Sequence, residues 1–232
     1  MGLEESPLTA AAGRTVARIL LDIEAVHFRP DEPFRLTSGR VSPVYIDCRK
    51  IISFPAERRQ VIDRAVALIE REIGPAELDA VAGGETAGIP YAAWIADRLD
   101  LPMLYVRKQP KGFGRGAQIE GAMRPGWRCL LVEDLATDGA SKLNFIRAIR
   151  DGGGRVAHAL VVFHYGIFPE SVARLAAEGV RLHGLATWWD VLAAAEATGA
   201  LAGPALRQVR AFLEDPDGWS TAHGGAAVSP SR

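Results

Sequence analysis

From residue 78 onward the chain alternates two kinds of segment, and this alternation limits the folds open to it. Short, nearly continuous apolar runs at 78–82, 102–106, 128–132, 156–163 and 180–185 are separated by stretches at 88–99, 139–151 and 169–178 whose apolar residues recur at helical spacing. A strand that is apolar on both faces must be covered on both, and parallel strands need a crossover, which a helix supplies. The expected fold class is therefore α/β, with a central, mostly parallel sheet flanked by helices. No segment recurs at a period of about 20–50 residues, which sets aside solenoids and propellers.

The ends of the chain read differently. Ser6-Pro7 fits a helix start, and Val16, Ile19, Leu20, Ile23 and Val26 follow on one helical face. Residues 34–49 suit short extended segments punctuated by Ser38-Gly39 and Ser42-Pro43, a small hairpin-like lobe. Pro55 opens a second helix that Gly74-Pro75 stops. Residues 189–198 and 204–213 read as closing helices, and 216–232, rich in Gly, Ser, Ala and Pro, as disordered. The expected division is an N-terminal helix and small lobe over 1–54, a core with closing helices over 55–214, and a tail over 215–232.

Twenty-seven Lys and Arg against 28 Asp and Glu leave a net charge of −1, so no basic field invites nucleic acid or an anionic membrane. Cys48 and Cys129 lack metal-ligand or disulfide-framework spacing and read as buried thiols of a reducing compartment. With no basic, apolar leader and no run of about 18 apolar residues, the cytoplasm is the expected location. His27, His158, His164 and His183 show no partner spacing and read as structural or surface residues.

The most informative segment runs from Cys129 through Val132, Glu133, Asp134, Leu135, Ala136, Thr137, Asp138, Gly139 and Ala140 to Ser141. An apolar strand leads into two adjacent acids and then into a small-residue turn that opens a helix. At that place in a parallel sheet, free N–H groups and the helix dipole favour an anion. Gly139 permits close backbone approach, and the Thr137 and Ser141 hydroxyls can bond phosphate oxygens. Two carboxylates beside a phosphate would repel it unless they face sugar hydroxyls, a metal or developing positive charge. A phosphorylated sugar satisfies both halves; the plainer alternative is a helix start capped by Thr137 or Asp138 with no ligand. No GK[ST] follows the glycine, so this is not a Walker loop.

Two further segments carry chemistry. Residues 107–121 place Arg107, Lys108, Lys111 and Arg115 among glycines, which suits a lid over a polyanion, or else a solvated surface loop. Gly83-Gly84-Glu85-Thr86-Ala87-Gly88 forms a second glycine-rich turn between a strand and a helix.

The Glu133–Ser141 segment resembles the phosphoribosyl pyrophosphate (PRPP) loop of type I phosphoribosyltransferases, and over roughly residues 34–163 the chain is similar to the orotate phosphoribosyltransferases. The resemblance implies Mg²⁺-assisted transfer of ribose 5-phosphate from PRPP to orotate, giving orotidine 5′-monophosphate and pyrophosphate in pyrimidine synthesis. It implies PRPP contacts from Arg107, Lys108, Lys111, Glu133, Asp134, Leu135, Ala136, Thr137, Asp138, Gly139, Ala140 and Ser141, with Lys111, Asp134 and Glu133 catalytic. It also implies a base-binding lobe over residues 36–47, with Thr37, Tyr45 and Thr137 at the base, and a homodimer whose 107–121 loop acts in the neighbouring subunit. The sequence departs from the family pattern at several places. Phe113 stands at an aromatic-or-His position, Thr37 where some members have Lys, and Thr86-Ala87 where some carry a Lys. Phe163-His164-Tyr165 occupies the place of an Arg near the base. A purine phosphoribosyltransferase and a non-catalytic PRPP-binding regulator are the rival readings; a dinucleotide-binding protein would need a G-x-G-x-x-G that is missing.

Overall fold

In the computed structural model, which describes residues 7–36, 38–110 and 118–226, the first helix α1 (Pro7–Asp22) is shorter than the apolar spacing suggests. Glu24 takes a left-handed conformation (φ 55°), Ala25 N–H donates to Leu20 O, and Val26 starts a strand instead of a further helical turn. That strand, β1 (Val26–Phe28), anticipates the small lobe: β2 (Phe34–Arg35) pairs antiparallel with β3 (Val41–Ser42), and β4 (Val44–Ile46) with β1.

Helix α2 (Pro55–Glu72) leads into the sheet region. There follow β5 (Ala80–Gly84), α3 (Gly88–Leu99), β6 (Met103–Val106), β7 (Ile119–Glu120), β8 (Arg128–Ala136), α4 (Ala140–Asp151), β9 (Arg155–His164), α5 (Pro169–Ala177) and β10 (Arg181–Thr187). The six strands lie in the order β10-β9-β8-β5-β6-β7. β5 pairs parallel with β6 and β8, β8 pairs parallel with β9, and β7 folds back antiparallel on β6. Consecutive residues of β8 face opposite ways, and Cys129 and Leu131 pack into one core with Phe145, Ile146 and Ile149 of α4. Both cysteines are buried, and burial pushes the Cys129 thiol up to about 11.

On β9 and β10 the imidazoles of His158 and His183 meet, Nδ1 to Nε2, at 3.1 Å. Burial lowers the His183 pKa to about 4, with Arg181 and His158 adding to the effect. A histidine with a folded pKa below its unfolded value binds fewer protons when folded, so its stabilisation is complete above about pH 6.5 and is lost as pH falls toward 4. Between pH 7 and 5 the wild type should lose about 2 kcal/mol from this group. Urea unfolding at the two pH values should show His183→Leu losing correspondingly less; parallel losses would exclude His183 as the source.

The last helices are α6 (Trp188–Thr198), α7 (Gly203–Glu214) and α8 (Pro216–Ala222). By contacts the chain divides into Ile52–Leu185 and a unit made of both ends, Met1–Ile51 with Ala186–Arg232. The closing helices therefore go with the N-terminal lobe and not with the sheet. The physical reason is the approach of α1 to α6, so close that a Cβ on Gly13 would fall 2.5 Å from Asp190 Oδ1. Asp190 also closes the capping box of α6 with Thr187.

Helix α8 corrects the expectation of disorder from residue 216. Asp215 accepts from Gly218 N–H, and Trp219 is buried edge-on to Phe212 with Nε1–H donating to Gln208 Oε1 at 3.0 Å. Ser220 Oγ accepts from Val41 N–H at 2.9 Å, and Arg40 pairs with Asp217 at 2.6 Å. One aromatic with a capped helix start outweighs the surrounding small residues. Trp219→Ala should cost about 2 kcal/mol in urea unfolding, less than a central aromatic because a terminal helix can detach locally. An unchanged midpoint would mean that α8 contributes nothing to stability.

Candidate active site

Strand β8 does not end at Val132 but continues to Ala136, because Glu133, Leu135 and Ala136 pair in register with Val161, Phe163 and His164 of β9. The two acids are strand residues, and alternation sends them to opposite faces. Glu133 turns inward and is only 7 % exposed. Its Oε2 accepts from Lys142 Nζ at 3.0 Å, while Oε1 is buried without a hydrogen bond, close to Gly84 and Gly88. Sequence reasoning does not anticipate this pairing: Glu133 is engaged inside the protein by Lys142. Burial raises its carboxyl above the ordinary range, with the Lys142 ammonium opposing. Asp134 is half-buried on the other face, near the strand end.

The turn that follows has the expected shape. Gly139 has φ +77°, a left-handed conformation that glycine adopts without strain, and precedes the first residue of α4. Among the described residues the Thr137 hydroxyl engages no partner, and Ala140 and Ser141 are exposed while Ala136 is buried. Asp138 is engaged within the protein. Its Oδ1 accepts from Ala140 N–H at 3.1 Å, and Arg174 of α5 donates to its Oδ2 at 3.2 Å and to its carbonyl at 3.1 Å. The Arg174 guanidinium offsets the Asp138 charge, so this acid does not leave the turn negative. The carbonyl of Leu135 accepts from Lys142 Nζ.

The basic segment is fastened at its feet. Arg107 N–H donates to Gln118 O and Gln118 Nε2 donates to Arg107 O, both at 2.8 Å. The Arg107 guanidinium lies 3.4 Å from Glu120 Oε1. Lys108 N–H donates to Glu85 Oε2 at 2.7 Å and Lys108 O accepts from Asn144 Nδ2 at 2.9 Å, while its side chain is exposed. The turn after β5, the end of β6 and the first half of α4 therefore meet at one place, the carboxyl ends of the parallel strands, where ligands of open α/β sheets bind. Lys111 and Phe113 lie outside the described residues.

Sequence reasoning missed Glu85, Asn144 and Lys142. Glu85 stands in the glycine-rich turn after β5, and Lys142 left a signal of its own, a lysine on the apolar stripe 142, 145, 146 and 149, which demands a buried partner. In the lobe, Tyr45 is half-buried, stacked on His27 with centroids 6.2 Å apart and tilted against Phe34 at 5.5 Å. Thr37 is outside the described residues. In the stretch that departs from the family, His164 Nε2 lies 2.8 Å from Ser171 Oγ, and Ser171 donates to Phe168 O. His164 is therefore the donor of that pair, and burial lowers its pKa below the ordinary imidazole value.

No family profile matches the chain. The parallel sheet, the glycine turn after β8 and the antiparallel pairing of β7 on β6 fit a type I phosphoribosyltransferase fold. A solved orotate phosphoribosyltransferase from Aeropyrum pernix superimposes with a TM-score of 0.66 at 33 % identity, covering 79 % of this chain and 99 % of that one. Curated orotate phosphoribosyltransferases from Cereibacter sphaeroides (strain KD131) and Dinoroseobacter shibae are 58 % identical over 209 residues and 57 % over 217. The matches cover 90 % of both chains in the first case, and 94 % of this chain and 96 % of the relative in the second. The chain belongs to the orotate phosphoribosyltransferase family.

Proposed function

We propose that the protein transfers ribose 5-phosphate from PRPP to orotate, releasing orotidine 5′-monophosphate and pyrophosphate. The observation that carries this is the β8–α4 turn, whose glycine, hydroxyls and helix start suit the 5′-phosphate while Asp134 stands beside it. As the bond to pyrophosphate breaks, positive charge grows on the ribose and negative charge on the leaving group. Asp134 orients the ribose hydroxyls and favours the cationic ring; Lys111 and Lys108 neutralise the pyrophosphate. Thr137, Gly139 and Ser141 hold the phosphate, and Tyr45 with Thr37 packs against the base. Arg107, paired to Glu120, sets the base of the cationic segment and has a smaller share of the pyrophosphate.

Among the described residues no three His, Cys, Asp or Glu side chains gather closely enough to hold a metal. A Mg²⁺ would be carried on the oxygens of PRPP and pyrophosphate, hard ligands for a hard cation. When bound there, the ion offsets pyrophosphate charge. No helix among the described residues is long and apolar enough to cross a membrane. The reading places the enzyme in the cytoplasm as a homodimer, each 107–121 segment serving the partner's site.

The test mixes purified protein with PRPP, Mg²⁺ and orotate and looks for orotidine 5′-monophosphate, with adenine, guanine and hypoxanthine as competing bases. Product with orotate alone is expected. A preference for a purine would replace the acceptor, and PRPP binding without turnover on any base would make the protein a regulator.

A further inference from the structure

A lysine ammonium buried as deeply as that of Lys142, 4 % exposed, is costly unless it is fully paired. Its hydrogen bonds account for all three protons, going to Glu133 Oε2 at 3.0 Å, to the Leu135 carbonyl, and to Ser141 Oγ at 3.2 Å. No proton is left for a ligand. The acceptors bracket the turn: two lie in the last part of β8 and one in the first turn of α4, with residues 136–140 between them.

We propose that Lys142 is a positioning residue for the phosphate-binding turn, tying the end of β8 to the start of α4 and setting the direction of the Ser141 hydroxyl; this rests on the reading of that turn as the 5′-phosphate site. Because Ser141 Oγ accepts from Lys142, its own proton is free to point outward to a phosphate oxygen. The same ammonium offsets the charge of Glu133. The turn therefore meets a dianionic ligand without an uncompensated carboxylate beneath it.

A single Lys142→Met change would strand a buried carboxylate and could unfold the protein. The decisive comparison is between Glu133→Gln, which keeps the ammonium and its ties to Leu135 and Ser141, and the double variant Glu133→Gln/Lys142→Met, which is neutral but lacks them. If the double variant does not fold, Glu133→Leu/Lys142→Met, an apolar pair of similar volume, takes its place. Relative to Glu133→Gln, the KM for PRPP should rise about 10-fold, the scale of one lost charge-assisted contact. The KM for orotate and kcat should stay within about twofold, well below that scale. Inorganic phosphate, titrated by calorimetry, should weaken in parallel. A folded double variant with an unchanged KM for PRPP and unchanged phosphate affinity overturns the positioning role while leaving the function intact. A wild type that binds neither phosphate nor PRPP overturns the phosphate site itself.

Discussion

Lys111→Ala should lower kcat at saturating PRPP and orotate by about 100-fold or more, the usual scale for losing one electrostatic contact to a transition state. The melting temperature should not change. Lys111 itself lies outside the described residues, and the case for it comes from the cations next to it. Arg107 is half-buried and paired with Glu120 at the hairpin foot, so removing it would disturb stability and activity together. The Lys108 backbone is fastened to Glu85 and Asn144, which limits how far its side chain can follow a leaving group. Lys111 is the remaining cation that the family resemblance places at the pyrophosphate. If the segment serves the neighbouring subunit, mixing inactive Lys111→Ala with inactive Asp134→Asn should restore activity, since a mixed dimer carries one site with both residues intact. Wild-type turnover in Lys111→Ala would remove it from the mechanism, and mixing without recovery would assign the segment to its own subunit.

The sheet was legible from the sequence because its strands are covered on both faces, and such strands must be apolar throughout. Helix α3 falls at Gly88–Leu99 as expected, and β6 and β10 within a residue or two. The errors share a cause, in that local composition was outweighed by one distant partner. β8 reads as ending at Val132 because two acids follow, yet it continues because β9 pairs with it and Lys142 supplies a counter-charge inside. Residues 216–222 read as loose because small residues dominate, yet Trp219 and the Asp215 cap hold a helix there. The Val26 position fits the helical stripe, yet it pairs with Ile46 in β1.

The candidate site was half legible. The turn chemistry of Thr137, Gly139 and Ser141 stands in the sequence as a pattern of residue types. The fate of each acid does not, since whether Glu133, Asp134 or Asp138 faces a ligand depends on where Lys142 and Arg174 come to lie. The sequence suggested repulsion between a phosphate and the carboxylates of Glu133 and Asp134; in the fold Glu133 is paired inside by Lys142 and Asp134 is half-buried on the other face, while a third acid, Asp138, is paired by Arg174.

Gly88→Ala should destabilise the protein by about 3 kcal/mol or more, although alanine ordinarily favours a helix over glycine by up to about 1 kcal/mol. The sign reverses because Gly88, the first residue of α3, lies against β8. A Cβ there would fall 2.3 Å from the Val132 carbonyl oxygen and 2.9 Å from Glu133 Oε1. The first of these is backbone in a central strand, paired to β5 and β9, and cannot yield as a side-chain tip does. α3 would have to lift from the sheet, carrying with it the 85–87 turn that holds Lys108 through Glu85. Urea unfolding would measure the loss, and the KM for PRPP should rise in whatever folded fraction remains. Gly179→Ala is the control: φ is +68° there but nothing lies within 4 Å of the added Cβ, so only left-handed strain of about 1 kcal/mol applies. Equal losses in the two variants would show that close packing of α3 on β8 is not what requires glycine at position 88.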